Sequence, residues 1–148
     1  MNELEFLQKD ISSKTLANAK EILENLTIYM NSFNKNEFLS FSSNTNAEKY
    51  SKNYQLLLSS ISKNIPTLTA ENARLASLLV KADSAMNTEL IVLCEKRFNA
   101  FEDFEQELNK YMSSMEDLFA NSKPNPTFLL SSAIQFKIAL DKLISANL

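Results

Sequence analysis

Glycine is absent from all 148 residues. Glycine supplies the left-handed backbone of tight turns, hairpins and phosphate-cradling loops. A chain without it is poorly suited to β-hairpins, Rossmann turns and P-loops, which points to an all-α fold. Histidine is absent too, and with it go the commonest metal ligand and the commonest general base. The single Cys94 has no partner for an intramolecular disulfide. It falls on an apolar stripe and reads as a small buried hydrophobe, compatible with a reducing cytoplasm. No run approaches the roughly 20 apolar residues needed to span a bilayer. The first twenty residues carry acids early and lack a continuous apolar core, so no signal peptide is expected. A net charge of −3 with both signs interspersed argues against nucleic-acid binding, which normally shows a basic face.

What is present is helical periodicity. Leu4, Leu7, Ile11, Ala19, Ile22, Leu23, Leu26, Met30 and Phe33 predict a helix over 2–33, with Asn2 as N-cap and Glu3 and Glu5 in its first turn. A second helical segment is predicted over 36–64, with a weak point at 42–46, where Ser42-Ser43-Asn44-Thr45-Asn46 can compete for backbone hydrogen bonds. Ile65-Pro66-Thr67-Leu68-Thr69 reads as a break, with Thr69 as the next N-cap and Glu71 behind it. From there a stretch free of proline runs to Asn121. Leu75, Leu78, Leu79, Ala82, Met86, Leu90, Cys94, Phe101, Phe104, Leu108, Tyr111, Met115 and Leu118 form one near-heptad stripe along it. A single helix over 69–121 would be a rod roughly 75 Å long. The loop Asn121-Ser122-Lys123-Pro124-Asn125-Pro126 then leads to a last helix over 127–146, with Asn125 as cap and Pro126 at the first helical position. The expected architecture is an elongated antiparallel bundle of about four helices in one domain, dominated by that very long helix.

Arg97 is the one charged residue on the stripe. Its stem can pack while the guanidinium reaches the bundle edge, or it can form a buried pair with an acid such as Glu102 or Asp103 on this or a symmetry-related chain. The acids Glu95, Glu102, Asp103, Glu105 and Glu107 read as a solvated face, because a di-iron bundle needs Glu-x-x-His pairs. The last helix is apolar over most of its circumference, so it is either sandwiched in the bundle or awaits an apolar cover.

Without histidine the serines have no base to activate them, and no phosphate loop or metal cluster can be assembled. A non-catalytic protein without cofactors is expected, acting through helix faces. The candidate interaction surface comprises Phe101, Phe104, Leu108, Tyr111, Met115, Phe128, Leu130, Ile134, Phe136 and Ile138.

The layout from Met115 to Asn121, through Ser122-Lys123-Pro124-Asn125-Pro126, to Ser132-Ala133 and Ala139-Leu140-Asp141-Lys142-Leu143 resembles that of the phasins. These are bacterial helical proteins that coat polyhydroxyalkanoate granules, and the upstream Asn64-Ile65-Pro66 falls roughly where that family also has a break. Phasins are typically alanine-rich and often carry a glycine in the loop, whereas this chain is rich in asparagine, serine and lysine. The resemblance implies a cytoplasmic, granule-associated coat protein whose last helix faces a polyhydroxyalkanoate or lipid-like surface. The alternative class is a binder of a partner protein. It would be either an export or secretion chaperone that clasps a client helix, or a coiled-coil adaptor that self-associates along the stripe at 90–118.

Overall fold

The computed structural model describes residues 2–32, 44–120 and 126–148, with side chains described over 2–31, 52–114 and 131–148. The chain forms four helices, α1 (Glu3–Ser32), α2 (Asn44–Ser84), α3 (Thr88–Ala120) and α4 (Pro126–Ala146), and no strand among the described residues. The all-α expectation holds. Asn2 caps α1 as expected, its Oδ1 accepting the Glu5 N–H at 2.8 Å. α4 opens on Pro126, whose missing N–H costs nothing at a first helical position. The expected turn at 36–41 and the first part of the weak point at 42–46 lie outside the described residues.

The helices pack in cyclic order, α1 on α2, α2 on α3, α3 on α4 and α4 back on α1. Three ion pairs show how closely α1 and α2 hold their antiparallel register: Glu3–Lys81 at 3.7 Å, Asp10–Arg74 at 2.8 Å and Glu21–Lys63 at 3.0 Å. Steps of seven and eleven residues along α1 are matched by steps of seven and eleven back along α2. Both are close to whole numbers of helical turns, so the pairs stay on one side. One further step of seven on each helix reaches Ile28 and Leu56, both half-exposed, where the ladder passes from charge to hydrocarbon. Inside it, Tyr29 and Tyr54 meet with ring centroids 6.4 Å apart.

The rod expected over 69–121 is corrected at its start and in its interior, while its end at Ala120 lies within a residue of the expected one. Pro66 and Thr69 lie inside α2, and the break comes instead at Ala85–Asn87. A proline in a helix interior costs about 3 kcal/mol, chiefly through the lost hydrogen bond to the carbonyl four residues back. Ser62 and Pro66 both lie on the exposed side of α2, so that carbonyl can turn to water. On the opposite side Leu57, Ile61 and Leu68 are buried, each contributing roughly 1.5–3 kcal/mol, and together they outweigh the proline. Thr69, exposed in mid-helix, caps nothing. Glu71 is buried and ion-paired with Arg74 at 2.7 Å instead of serving a helix start.

The turn at 85–87 solves the glycine problem by another route. The Met86 N–H donates to the Asp83 carbonyl and the Asn87 N–H to the Ala82 carbonyl at 2.9 Å, the paired bonds of a Schellman ending. Such an ending needs a left-handed residue at the position after the cap, and Met86 takes it with φ 54°. Its side chain, 86% exposed, has left the stripe to which sequence spacing assigned it. Asn87 then caps α3, its Oδ1 accepting the Leu90 N–H at 3.2 Å.

A side chain with a Cβ is strained in the left-handed region by about 1–2 kcal/mol, partly offset by the extra unfolded-state freedom that glycine brings. Met86→Gly should therefore stabilise the fold by about 0.5–1 kcal/mol, and the β-branched Met86→Val should destabilise it, both read from urea midpoints. The ion-pair ladder predicts acid sensitivity. The Arg74 hydrogen bond holds the Asp10 carboxyl below its ordinary 3.8, and the Lys63 hydrogen bond holds Glu21 below its ordinary 4.5, each against a smaller opposing push from burial. Carboxyls lowered by folding stabilise above their unfolded values and lose that contribution as pH falls through the folded ones. The melting temperature should thus fall as pH drops below 4.5 and then 3.8, and the double variant Asp10→Asn/Glu21→Gln should flatten that decline.

Candidate docking groove

The two ends of the bundle differ because α4 is the shortest helix. Phe136 of α4 lies between Phe104 and Tyr111 of α3, at centroid distances of 5.8 and 5.4 Å. Lys142 pairs with Asp103 at 2.8 Å. α4 then ends at Ala146, beside Arg97. Along this span the core takes side chains from all four helices, among them Ile22, Leu26, Leu57, Phe104, Tyr111, Phe136 and Leu140. Past Arg97 only three helices continue. Their smaller core is built on Ile11, Leu75, Leu78 and Cys94, with Leu4, Leu7 and Leu90 only partly covered.

Arg97 marks the boundary. It is 2% exposed, and its Nε donates to the Ala146 carbonyl at 2.9 Å. The last carbonyls of a helix have no partners within the helix and carry its partial negative charge, so a cation there serves both needs. Asn147 completes the ending through its side-chain amide, which donates to the Leu143 carbonyl at 2.9 Å. Within the chain, neither expectation for Arg97 holds. Its guanidinium does not reach the bundle edge, and among the described residues it pairs with no acid, Asp103 being engaged by Lys142. Burial lowers its pKa from the ordinary guanidinium range, and its Nη1 is a buried donor without a partner among the described residues. Ser12 and Thr15 of α1 and Glu71 of α2 are buried at about the same level by register, so a polar layer separates the two apolar cores. Cys94 lies just beyond it, fully buried, and the loss of water pushes its thiol pKa up, as befits an inert side chain.

Beyond the end of α4, the space between α1 and α3 is an open groove of about 230 Å³. Leu4, Leu90 and Leu93, all half-buried, give it apolar walls, and Asn2, Glu5, Gln8, Asn87 and Glu89 form its polar rim. Its lining runs from Asn87 to Leu93 on α3, about 9 Å, or roughly six residues of a helix laid along the path of α4. A larger cavity of about 570 Å³ lies between α3 and α4 and is lined by polar residues such as Glu107, Lys110, Ser114 and Gln135. Glu107 and Lys110 pair with each other at 3.3 Å, and the Ser114 hydroxyl donates to the Lys110 carbonyl.

The residues expected to form an interaction surface divide. Phe101, Phe104, Tyr111 and Phe136 are buried in the chain's own core, and Leu108 is packed against it. Among the described side chains, the stripe from Cys94 to Tyr111 is covered within the chain, whereas Leu90 at its start is only partly covered. Tyr111 sits so deep, near Tyr29 and Tyr54, that burial raises its hydroxyl pKa well above 10.0. Only Ile134, 41% exposed, and Ile138, 52% exposed, face outward. Met115, Phe128 and Leu130 lie outside the described side chains. The groove residues Leu4, Leu93, Glu5 and Glu89 were not singled out by sequence as a surface, and Leu90 only as the start of the stripe at 90–118. A signal existed, because Arg97 and Ala146 lie equally far from residues 121–122. Counting outward from the loop therefore places the end of the last helix opposite the charged break in the stripe.

No group of three or more potential metal-ligating side chains occurs among the described residues, and no helix among them is long and apolar enough to cross a membrane. Fold and groove together define an all-α, four-helix bundle with a truncated fourth helix. Comparison with protein-family models, with curated proteins and with solved structures gives no match.

Phe104 is fully buried, so Phe104→Ala should cost about 3–5 kcal/mol in chemical denaturation. Phe104→Glu should unfold the chain, where a residue on a dimer seam would merely release monomers. Ile138→Ser, on the outward side of α4, should stay within about 0.5 kcal/mol of the parent.

Proposed function

We propose that this is a non-catalytic helical interaction protein that clasps an amphipathic helix of a partner protein in the groove between α1 and α3. The observation that carries this reading is the early end of α4, which leaves Leu4, Leu90 and Leu93 only partly covered where the rest of the bundle has a fourth helix. Fully burying a leucine is worth roughly 1.5–3 kcal/mol, and only a minor part of each of the three is still open, so covering them supplies roughly 1–2 kcal/mol before polar contacts are added. That suits a weak, reversible hold on a client, in the manner of export or secretion chaperones. A cytoplasmic place of action fits the single buried thiol.

A phasin-like coat on polyhydroxyalkanoate or lipid is the second reading. It is favoured by Ile134 and Ile138, which leave α4 apolar on its outward side as well as its buried one. Two half-exposed isoleucines contribute about 2 kcal/mol, weaker than millimolar binding. Firm coating would require the bundle to open, at a cost on the order of its whole stability, typically about 5–15 kcal/mol. We favour the groove because occupying it asks for no such opening.

The two readings separate in the native host. Affinity purification of the full chain should recover one soluble client, and Leu93→Asp should lose it while leaving the melting temperature nearly unchanged. Flotation of the chain with polymer granules or lipid droplets, undiminished by Leu93→Asp, would reject the groove in favour of the coat.

A further inference from the structure

The groove has walls of a definite charge and direction, and these specify its occupant more closely than apolar cover alone. α1 and α3 both begin at this end, so both present the partially positive end of a helix there. A docked helix that continues the path of α4 runs antiparallel to both, and its own partially negative C-terminal end arrives beside their N-termini. That polarity is favourable. α4 itself follows it, and where α4 ends the bundle wall supplies the cation Arg97 to meet its last carbonyls.

Further along, the wall supplies no cation. Glu5 and Glu89 line the groove, and neither takes part in an ion pair among the described residues. Glu3, close by, is engaged by Lys81. No lysine or arginine is among the residues lining the groove. Whatever occupies it must therefore bring the positive charge itself, and a helix tolerates positive charge best in its last turn.

Resting on the groove reading above, we infer that the partner segment is a basic amphipathic helix that contacts the groove over about two turns. It lies in the direction of α4, with leucine-like side chains against Leu4, Leu90 and Leu93 and with lysine or arginine in its C-terminal turn between Glu5 and Glu89. Two turns are what the ~9 Å groove admits.

The test uses the full chain and three fluorescein-labelled twelve-residue probes in an alanine background, all with the same leucine stripe. One carries lysines in its last turn, one carries the same lysines in its first turn, and one carries glutamates in its last turn. The C-terminal lysine probe should bind about tenfold more tightly than either of the others in fluorescence anisotropy. Glu5→Lys/Glu89→Lys should reverse the preference between the lysine and glutamate probes, and Glu102→Lys/Glu105→Lys, exposed elsewhere on α3, should leave it unchanged. Equal affinity for all three probes, lost in Leu93→Asp, would overturn the charge and direction assigned here while sparing the groove. No binding of any probe, or binding untouched by Leu93→Asp, would overturn both. Sedimentation of the chain alone as a dimer that Leu93→Asp dissociates would give the groove to a second copy, and would overturn the inference as well.

Discussion

The carbonyls at the end of a helix must find partners, and in this bundle α4 ends against protein instead of water. Arg97 is what makes that ending tolerable. Its Nε takes the Ala146 carbonyl inside the structure, and its charge opposes the partial negative charge of the helix end. The same contact fixes how far α4 reaches. That reach divides the molecule into a four-helix half with a dense aromatic core and a three-helix half whose leucines are only partly covered. The cost is a desolvated cation with one donor unanswered. Hydrocarbon at this position would pack better but would leave the helix end without a donor.

Register is held separately in each hairpin. Between α1 and α2 it rests on ion pairs spaced by whole helical turns, flanking a row of buried aliphatic residues. Between α3 and α4 it rests on rings, with Phe136 seated between Phe104 and Tyr111. Exposed or half-exposed ion pairs contribute little energy each, but they penalise slippage, because a shift of one residue would bring every charge off its partner. The aromatic seam contributes both energy and shape. α4 is consequently sandwiched between α1 and α3, its buried face spent inside the molecule and, among its described large apolar side chains, Ile134 and Ile138 left outward.

These features leave the partly covered apolar side chains at an edge of the fold. The strongest apolar positions, Phe104, Tyr111 and Phe136, lie in the core, where they stabilise the bundle and can touch no partner. The positions open to one are modest leucines near the helix starts. Their exposure is set by the helix that does not reach them. A surface of that kind favours reversible binding and selects by the charge at its rim.

Composition and periodicity were sufficient for the broad outline. A chain without glycine and with apolar residues at helical spacing has few ways to bury them except as packed helices, and the start of α1 at Asn2 and of α4 at Pro126 follow from local capping chemistry. The long central rod did not survive, because proline and heptad spacing are local signals that tertiary burial can override. Pro66 is carried within α2 by the buried leucines and isoleucine opposite it, while the stripe passes through Met86 without a change of phase although the backbone there reverses direction. Likewise the sequence showed Arg97 as a defect in an apolar row. Only the packed structure decided that the defect is the stop for α4, and that the groove lies beyond it, because both depend on which residues of distant helices come level.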